Sequence, residues 1–536
     1  MTDSHHSPHR SRLWPPLLFL SLGALALRLA GIWWGLPDDR HYFSYHPDEI
    51  FLLLPSFGFV QGDWNPHFFN YGTLYIYLVG LPAVILGLVP DPSHFPSGLR
   101  PLYLEGRLIT ALLGSATVPL LYLALCPTSR WLALLSAALL AICPLHLITS
   151  HYATVDVPAT FFLTLALLFT LRGAGRPGAK AAAAAGLAVG LATATKYNAG
   201  LFLIPALLAP ALARRKAPAG WWLALPAAAL LGFLIGNPYV VSHEFLKGFL
   251  FEFHHAREGG TLAFVGAGSG WAYHLTRGLP VALAYPLLAA AVLGVVAAVA
   301  RPSPAPLLSL LWTAFYLLVI GFSKERFIRY LVPLMPFLCL LAAHGLIWVV
   351  AGAKRLRAQA TAVLAVVILM LLTALYSLAQ LIPSVLDARD LAWMQARSDI
   401  LASTPDATVG LAGSPWYYHP PVSPYNAGAF SRSWFQEWNT TADHPVIVTG
   451  WNADRLRQSQ PTLFFLSDLE AADLQRLGRT EVIEFLAALD ETYSRRITFG
   501  DRPLPFSWLA PGRASQPPDW LYPTPHITMY YHGPGQ

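Results

Sequence analysis

Charge is what this chain has least of. Only 12% of its 536 residues are Asp, Glu, Lys or Arg, 55% are hydrophobic, and the mean hydropathy is +0.47. That profile excludes an ordinary soluble domain and points to a polytopic membrane protein. Cysteine is nearly absent too. Cys126, Cys143 and Cys339 lie in or beside apolar runs without metal-ligand spacing, so they read as packing residues and exclude a cysteine-held metal. Acids are scarcest of all before residue 383: 13 of the 29 lie there and 16 lie in 383–536. The chain therefore divides into a membrane part, 1–382, and a soluble tail, 383–536, the size of one small domain. The formal charge of +6 raises a nucleic-acid reading, but the basic residues form short clusters between apolar runs, as cytoplasmic anchors do. No nucleic-acid partner is expected.

Apolar runs of spanning length occur near 13–35, 72–90, 104–125, 131–149, 157–171, 181–196, 199–213, 221–236, 279–300, 304–322, 328–350 and 360–382. The first is too long for a signal-peptide core and lacks a small-residue cleavage site, so it reads as a retained span behind Arg10 and Arg12. If all twelve cross from a cytoplasmic N-terminus, three basic clusters fall outside: Arg172/Arg176/Lys180, Arg214/Arg215/Lys216 and Lys354/Arg355/Arg357. That breaks the positive-inside rule three times. One change repairs it. If 72–90, with Tyr71, Tyr75, Tyr77 and an internal Pro82, lies at the outer surface without crossing, all three clusters become cytoplasmic. About eleven spans remain, in a cell (inner) membrane, with the N-terminus cytoplasmic and the tail extracytoplasmic. Every acid before residue 383 except Asp3 then faces outward, so the outer face has the polar groups for a site.

Four places carry the chemistry. The stretch Tyr45-His46-Pro47-Asp48-Glu49-Ile50 sets two carboxylates just after the first span, either as solvated loop acids or as a site. Asp156, in Ser150-His151-Tyr152-Ala153-Thr154-Val155-Asp156-Val157-Pro158, sits near membrane level. An ionisable group there costs about 2.5–3.5 kcal/mol on insertion scales and is a functional candidate, though it also suits a helix start. Lys196 lies between two apolar runs on the outer side, where it either snorkels or contacts an anion. Arg257, and Lys324, Arg326 and Arg329 of Ser323-Lys324-Glu325-Arg326-Phe327-Ile328-Arg329-Tyr330, place cations on a face normally poor in them. Glu325 can neutralise one; a phosphate would account for more. Arg28, inside the first run, either snorkels or pairs with an outer acid. His46, His67 and His151 lie near the acids in no strong metal motif, so no metal ligands are assigned, although a divalent metal is compatible with the composition. Asn439-Thr440-Thr441 is a glycosylation triplet.

Outward acids can accept a proton from an attacking hydroxyl, and outward cations can stabilise a departing phosphate. Together they suit transfer of a sugar from a membrane-anchored phosphate. The rival is a transporter or flippase of lipid-linked sugars, which should show paired interrupted helices and midplane charges. No internal repeat is found, and the charges gather at one face.

At these residues the chain resembles the GT-C glycosyltransferases of family 39 type. It looks most like the bacterial lipid-A aminoarabinose transferases and, more distantly, the protein O-mannosyltransferases. The shared landmarks run in order: Pro47-Asp48-Glu49 after the first span, Tyr152-Ala153 through Asp156, Thr195-Lys196, Arg257, then Lys324, Arg326 and Tyr330. The resemblance covers about residues 13–350. It implies the GT-C fold, a polytopic α-helical membrane domain with outer juxtamembrane helices, and an inverting transfer from a polyprenyl-phosphate sugar to a lipid, glycan or protein acceptor. Asp48 would be the catalytic base, with Glu49 and Asp156 shaping the acceptor site. Lys196, Arg257, Arg326 and Tyr330, with Lys324 and Arg329 of the same stretch, would hold the donor phosphate. The chain departs from the aminoarabinose transferases after the acid pair, where Asn70-Tyr71 stands in place of a Glu-Lys pair.

In the tail, apolar runs Thr408–Ala412, Val446–Thr449, Thr462–Leu466 and Tyr493–Phe499 predict strands, and helical patterns cover 385–402 and 469–489. A small α/β domain is expected, without a catalytic set of its own.

Overall fold

A computed structural model of the chain describes residues 14–37, 44–88, 97–386, 407–413, 418, 446–500 and 505–532. Arg10, Arg12, Asp38, Asp39, Asp91, the Asn439 triplet and nearly all of the helix expected over 385–402 lie outside the described residues.

The membrane part begins with α1 (Trp14–Leu29), α2 (Glu49–Val60), α3 (Leu74–Leu86), α4 (Arg100–Leu125), α5 (Arg130–Ala141) and α6 (Pro144–Thr149). It continues with α7 (Asp156–Gly175), α8 (Ala179–Thr195), α9 (Leu203–Leu212), α10 (Ala219–Gly236) and α11 (His243–Glu258). It ends with α12 (Gly270–Tyr273), α13 (Leu279–Ala300), α14 (Pro304–Ile320), α15 (Met335–Gly352) and α16 (Leu356–Val385). Among the described residues, six stretches are long and apolar enough to cross a membrane: α4, α7, α10, Gly270–Ala300, Ile328–Gly352 and α16. The shorter apolar helices α1, α5, α8, α9 and α14 occupy the other places where the sequence predicts a crossing. Small residues let these helices approach closely. A Cβ on Gly186 or Gly190 of α8 would sit 2.1 Å from the Leu225 or Ala229 carbonyl oxygen of α10, the close packing that glycine permits between membrane helices.

Helix direction tests the charge argument. Arg107, in the second turn of α4, donates to the carbonyls of Ile32 at 2.9 Å and Trp34 at 2.7 Å, just past the end of α1. The chain therefore leaves α1 and enters α4 at the same end of the bundle, and the segment between makes no net crossing. α3, at 13 residues, is about 20 Å long against a hydrocarbon core of about 30 Å. It packs on α2, where a Cβ on Gly80 would collide with the Phe59 ring. α7 runs from Asp156 at this end to Gly175, placing Arg172 and Arg176 at the other. The Lys196 end of the turn leading into α9 and the Arg214/Arg215/Lys216 cluster are separated in the same way. Acids and basic clusters thus occupy opposite ends of the bundle.

The C-terminal part holds one mixed five-stranded sheet, with β1 (Val409–Leu411), β2 (Val446–Val448), β3 (Leu463–Ser467), β4 (Arg495–Phe499) and β5 (Ile527–Tyr531) in the order β2-β1-β3-β5-β4. β1 is parallel to both β2 and β3, whereas β5 is antiparallel to both β3 and β4. The first four strands fall on the runs read from the sequence; β5 is additional. The helix expected over 469–489 is two helices, because Gly478 takes φ +68° and ends the first. They are preceded by α17 (Ala453–Ser459) and form α18 (Asp468–Arg476) and α19 (Thr480–Thr492), ahead of the short α20 (Pro518–Leu521). One sheet face, through Val409, Leu411, Leu463, Ile527 and Met529, shares a core with α2, α3 and the start of α4. The other packs on α17 to α19 through Leu456, Phe464, Phe485 and Leu489. The sheet thus rests on the bundle end that carries the acids.

Candidate active site

Asp48 begins α2. The turn before it is fixed by Gly35, whose φ is +64° and whose Cβ would sit 2.1 Å from the Tyr45 ring; only glycine admits that contact. Tyr45 N–H bonds back to the Gly35 carbonyl, and its ring packs edge-on against Trp34. His46 Nδ1 accepts the Asp48 N–H at 3.3 Å, and its ring lies 4.9 Å from Tyr152 and 5.9 Å from Tyr522. Burial lowers the His46 pKa against the pull of Asp48 and Glu49, which favours the neutral ring that this acceptor role requires.

The two adjacent acids have different surroundings. Asp48 is partly open, and its carboxylate faces Arg329 Nη2 at 3.1 Å. Glu49 is closed. Arg107 grips both its oxygens at 2.7 Å, and the Ala153 N–H adds a bond of 2.8 Å, with neither charged side chain exposed by more than 1%. Burial opposes the Glu49 charge, but Arg107 and the Ala153 N–H hold its pKa below the ordinary value. Both Glu49 oxygens are therefore engaged in bonds that join α2 to α4 and to the Tyr152–Ala153 link, while Arg107 carries the connection on to the residues just after α1.

Asp156 opens α7 and forms a buried ion pair with Lys196. Lys196 is the extended residue after α8, held there by the 3-10 turn Tyr197–Phe202, and its ammonium lies 4.9 Å over the Tyr330 ring. Glu252 of α11 stands close enough to Lys196, Arg329 and Asp48 for all three to act on it, although burial dominates and raises its pKa. Tyr71 is half-buried within reach of Asp48, Arg329 and Glu252, and loss of solvent around its hydroxyl raises its pKa well above the usual phenol range. The cluster is thus two acid–cation pairs, Asp48–Arg329 and Asp156–Lys196, edged by Tyr71, Glu252 and Tyr330.

Of the other predicted donor residues, Arg326 is buried, donates from Nη2 to the Gly268 carbonyl at 2.6 Å and lies beside Tyr273. Arg257 and Lys324 are exposed. Glu325 neutralises none of the three neighbouring cations: Oε1 accepts the Thr261 N–H at 3.0 Å and lies 3.6 Å from His255. Arg28 neither snorkels nor meets an outer acid. It donates to His146 Nδ1 at 2.9 Å and to the Ala24 and Ala141 carbonyls, the latter ending α5, a favourable place for a cation at a helix C-terminus. Sequence reasoning missed Arg107, Glu252, Asp519 and Tyr522. Arg107 had a signal, being a cation inside an apolar run.

Metal ligation fits this donor set poorly. Among the described residues no group of three or more His, Cys, Asp and Glu could hold an ion. Asp48 and Asp156 each already face a side-chain cation.

At the rim, His67 bonds Asp63 at 3.0 Å through Nε2 and Glu244 at 2.9 Å through Nδ1, clipping the α2–α3 loop to α11. Two carboxylate partners require the imidazolium. Desolvation opposes it, but the bonds to Asp63 and Glu244 prevail and raise the pKa above 6.5. A raised histidine pKa stabilises the clip fully below the unfolded value and loses that contribution as pH rises through the folded one. The protection of the start of α11 against hydrogen exchange, taken relative to the intrinsic base-catalysed rate, is therefore expected to fall between pH 6 and 8.5. In His67→Gln this fall in protection should vanish; an unchanged protection profile would deny the clip.

Residues 66–240 match the family model of dolichyl-phosphate-mannose-protein mannosyltransferases, a stretch containing Tyr71, Asp156 and Lys196. No curated protein matches the sequence. Among solved structures, the oligosaccharyltransferase of Archaeoglobus fulgidus complexed with Zn and sulfate is similar at a TM-score of 0.54 and 14% identity, over 91% of this chain and 72% of that one. The same enzyme with an inhibitory peptide and a dolichol-phosphate gives 0.51 and 12%, over 92% and 74%. ArnT from Cupriavidus metallidurans bound to undecaprenyl phosphate gives 0.46 and 16%, over 98% and 100%. At such identities the oligosaccharyltransferase likeness speaks to fold. The chain is a polytopic helical membrane protein with a small C-terminal domain, and its fold is similar to that of the archaeal oligosaccharyltransferase. The family match adds a resemblance to the protein O-mannosyltransferases, in agreement with the ordered landmarks of the sequence.

Proposed function

We propose that this chain is an integral-membrane glycosyltransferase that moves a sugar from a polyprenyl-phosphate donor to an acceptor hydroxyl at the outer face of the cytoplasmic membrane. The observation that carries the reading is the pairing of Asp48 with Arg329 beside Asp156–Lys196, at the bundle end opposite the basic clusters. Residues 1–382 form the catalytic membrane domain, and 383–536 an extracytoplasmic domain resting on the site. The family match to dolichyl-phosphate-mannose-dependent transferases supports the donor class, as does the dolichol-phosphate held by the archaeal oligosaccharyltransferase of similar fold.

In the resting site Arg329 neutralises Asp48. A donor phosphate offers the guanidinium two oxygens in a planar, bidentate match, which frees Asp48 to accept the acceptor hydroxyl proton. The acceptor oxygen bonds to the anomeric carbon as the bond from that carbon to the phosphate oxygen breaks, and the electron pair stays on the phosphate. Lys196 and Arg329 stabilise the growing phosphate charge. Attack opposite the leaving group inverts the anomeric carbon. Zinc accompanies the archaeal enzyme of similar fold; here cations of the chain stand beside both acids, so no step is assigned to a metal. Activity is expected to survive dialysis against EDTA in full, and loss restored by a divalent cation would refute that assignment.

The test is purified protein in proteoliposomes with a panel of polyprenyl-phosphate sugars, reading labelled sugar on the acceptor and its anomeric configuration by NMR. Inverted product is expected from at least one donor. Retained configuration would rule out direct displacement, and transfer from none would rule out the class.

A further inference from the structure

The C-terminal domain reaches into the cluster through two residues of its last helical turn. Asp519 opens α20, is 8% exposed, and accepts the backbone N–H groups of Ile328 at 2.9 Å and Arg329 at 3.1 Å. Its Oδ2 also lies 3.9 Å from Arg329 Nη1, while Arg329 Nη2 faces Asp48 at 3.1 Å. The Tyr522 hydroxyl is a further hydrogen-bond partner of Arg329, and Phe327 lies under the guanidinium at 3.9 Å. Arg329 is thus hydrogen-bonded at its backbone by one carboxylate of the C-terminal domain, whose negative charge also lies within ion-pair distance of its head. The docking is anchored nearby, where Leu509 and Ala510 pack with Ala284 and Tyr376 of the bundle.

We propose that Asp519 is a positioning residue of the transfer site: it fixes the Arg329 guanidinium so that Asp48 on one side and a donor phosphate on the other can share it. The inference rests on the transferase reading above and adds to it that the C-terminal domain completes the site. A carboxylate suits the task because it accepts both N–H groups and still offers negative charge to the head group. An amide at the same place can present only one oxygen and turns a donor toward a donor.

Burial pushes the Asp519 carboxyl up to about 6, against Arg329 and the two N–H groups, which pull it down. The other titratable groups around it are Tyr522 on the following turn, Tyr273 at the end of α12, and Asp48, His46 and Tyr71, which are linked to it through Arg329. Protonation of Asp519 releases its hold on the guanidinium, so wild-type turnover falls as pH drops through about 6.

The experiment compares wild type, Asp519→Asn and Asp48→Asn in proteoliposomes, with a polyprenyl-phosphate sugar as donor, across pH 5 to 8. Asp519→Asn should lower kcat roughly 10- to 100-fold, the scale of misplacing a catalytic partner by about 1 Å, and shift donor KM much less. The acid limb near pH 6 should disappear, whatever the change in melting temperature that the lost backbone acceptor brings. Wild-type kcat in Asp519→Asn beside an inactive Asp48→Asn overturns the inference and leaves the transferase reading intact. A lowered kcat that keeps the limb and comes with a lowered melting temperature assigns Asp519 a merely structural role and also overturns it. If Asp519→Asn does not fold, the wild-type profile decides, since absence of a limb near pH 6 contradicts the proposal. Full activity of Asp48→Asn instead removes the reading on which the inference rests.

Discussion

Asp48→Asn is expected to cut turnover by about 10²- to 10⁴-fold, the range for losing a positioned general base, while donor binding holds or tightens. The asparagine keeps the shape of the side chain but cannot take the acceptor proton at working pH. It also removes the negative charge that faces Arg329 at 3.1 Å in the resting site, leaving the guanidinium more available to the donor phosphate. The two effects separate in steady-state kinetics as a collapsed kcat beside an unchanged or lowered donor KM. A collapsed affinity with normal turnover would mean that Asp48 serves binding alone.

Arg107→Met is expected to destabilise the protein by about 3–5 kcal/mol, because it leaves Glu49 as an uncompensated buried charge. The pair is closed from solvent and bidentate, and Arg107 also holds the Ile32 and Trp34 carbonyls after α1. The double variant Glu49→Gln/Arg107→Met removes both charges together and should recover much of the loss, since replacing a whole buried pair is far milder than breaking it. The readouts are thermal unfolding in detergent and transfer rate. If Glu49 only joins α1, α2 and α4, the folded double variant works within a few-fold of wild type. A folded but inactive double variant would return Glu49 to the chemistry.

That contrast marks where sequence reasoning ends. Asp48 and Glu49 are neighbours in the chain and look equivalent; their difference lies in what faces them. Arg107 is 58 residues from Glu49 and Arg329 is 281 from Asp48, and no local pattern records such pairing. Charge asymmetry did report that the stretch between α1 and α4 makes no net crossing, because the cost of placing lysine and arginine applies at every loop and the loops had to agree. Asp156 and Lys196 were legible for a similar reason, as ionisable groups between apolar runs need partners. Exposure was not legible: Arg257 and Lys324 belong to the same ordered landmarks as Arg326 yet face solvent, because burial depends on packing against distant segments that the motif does not record. Asp519 lies in a tail of which four strands could be read from apolar runs, but its docking onto the bundle depends on a core shared by Met529 and Ile527 of the unread β5 and helices more than 400 residues earlier.

Central to this account is that a sugar is transferred and its lipid phosphate released, in contrast to a lipid-linked sugar carried intact across the bilayer. The most direct measurement follows both products of one reaction in proteoliposomes: labelled sugar on the acceptor and free polyprenyl phosphate extracted from the membrane. The account predicts that they appear together in equal amounts, and that both are lost in Asp48→Asn. Intact lipid-linked sugar accumulating in the opposite leaflet, with no polyprenyl phosphate released, would contradict it.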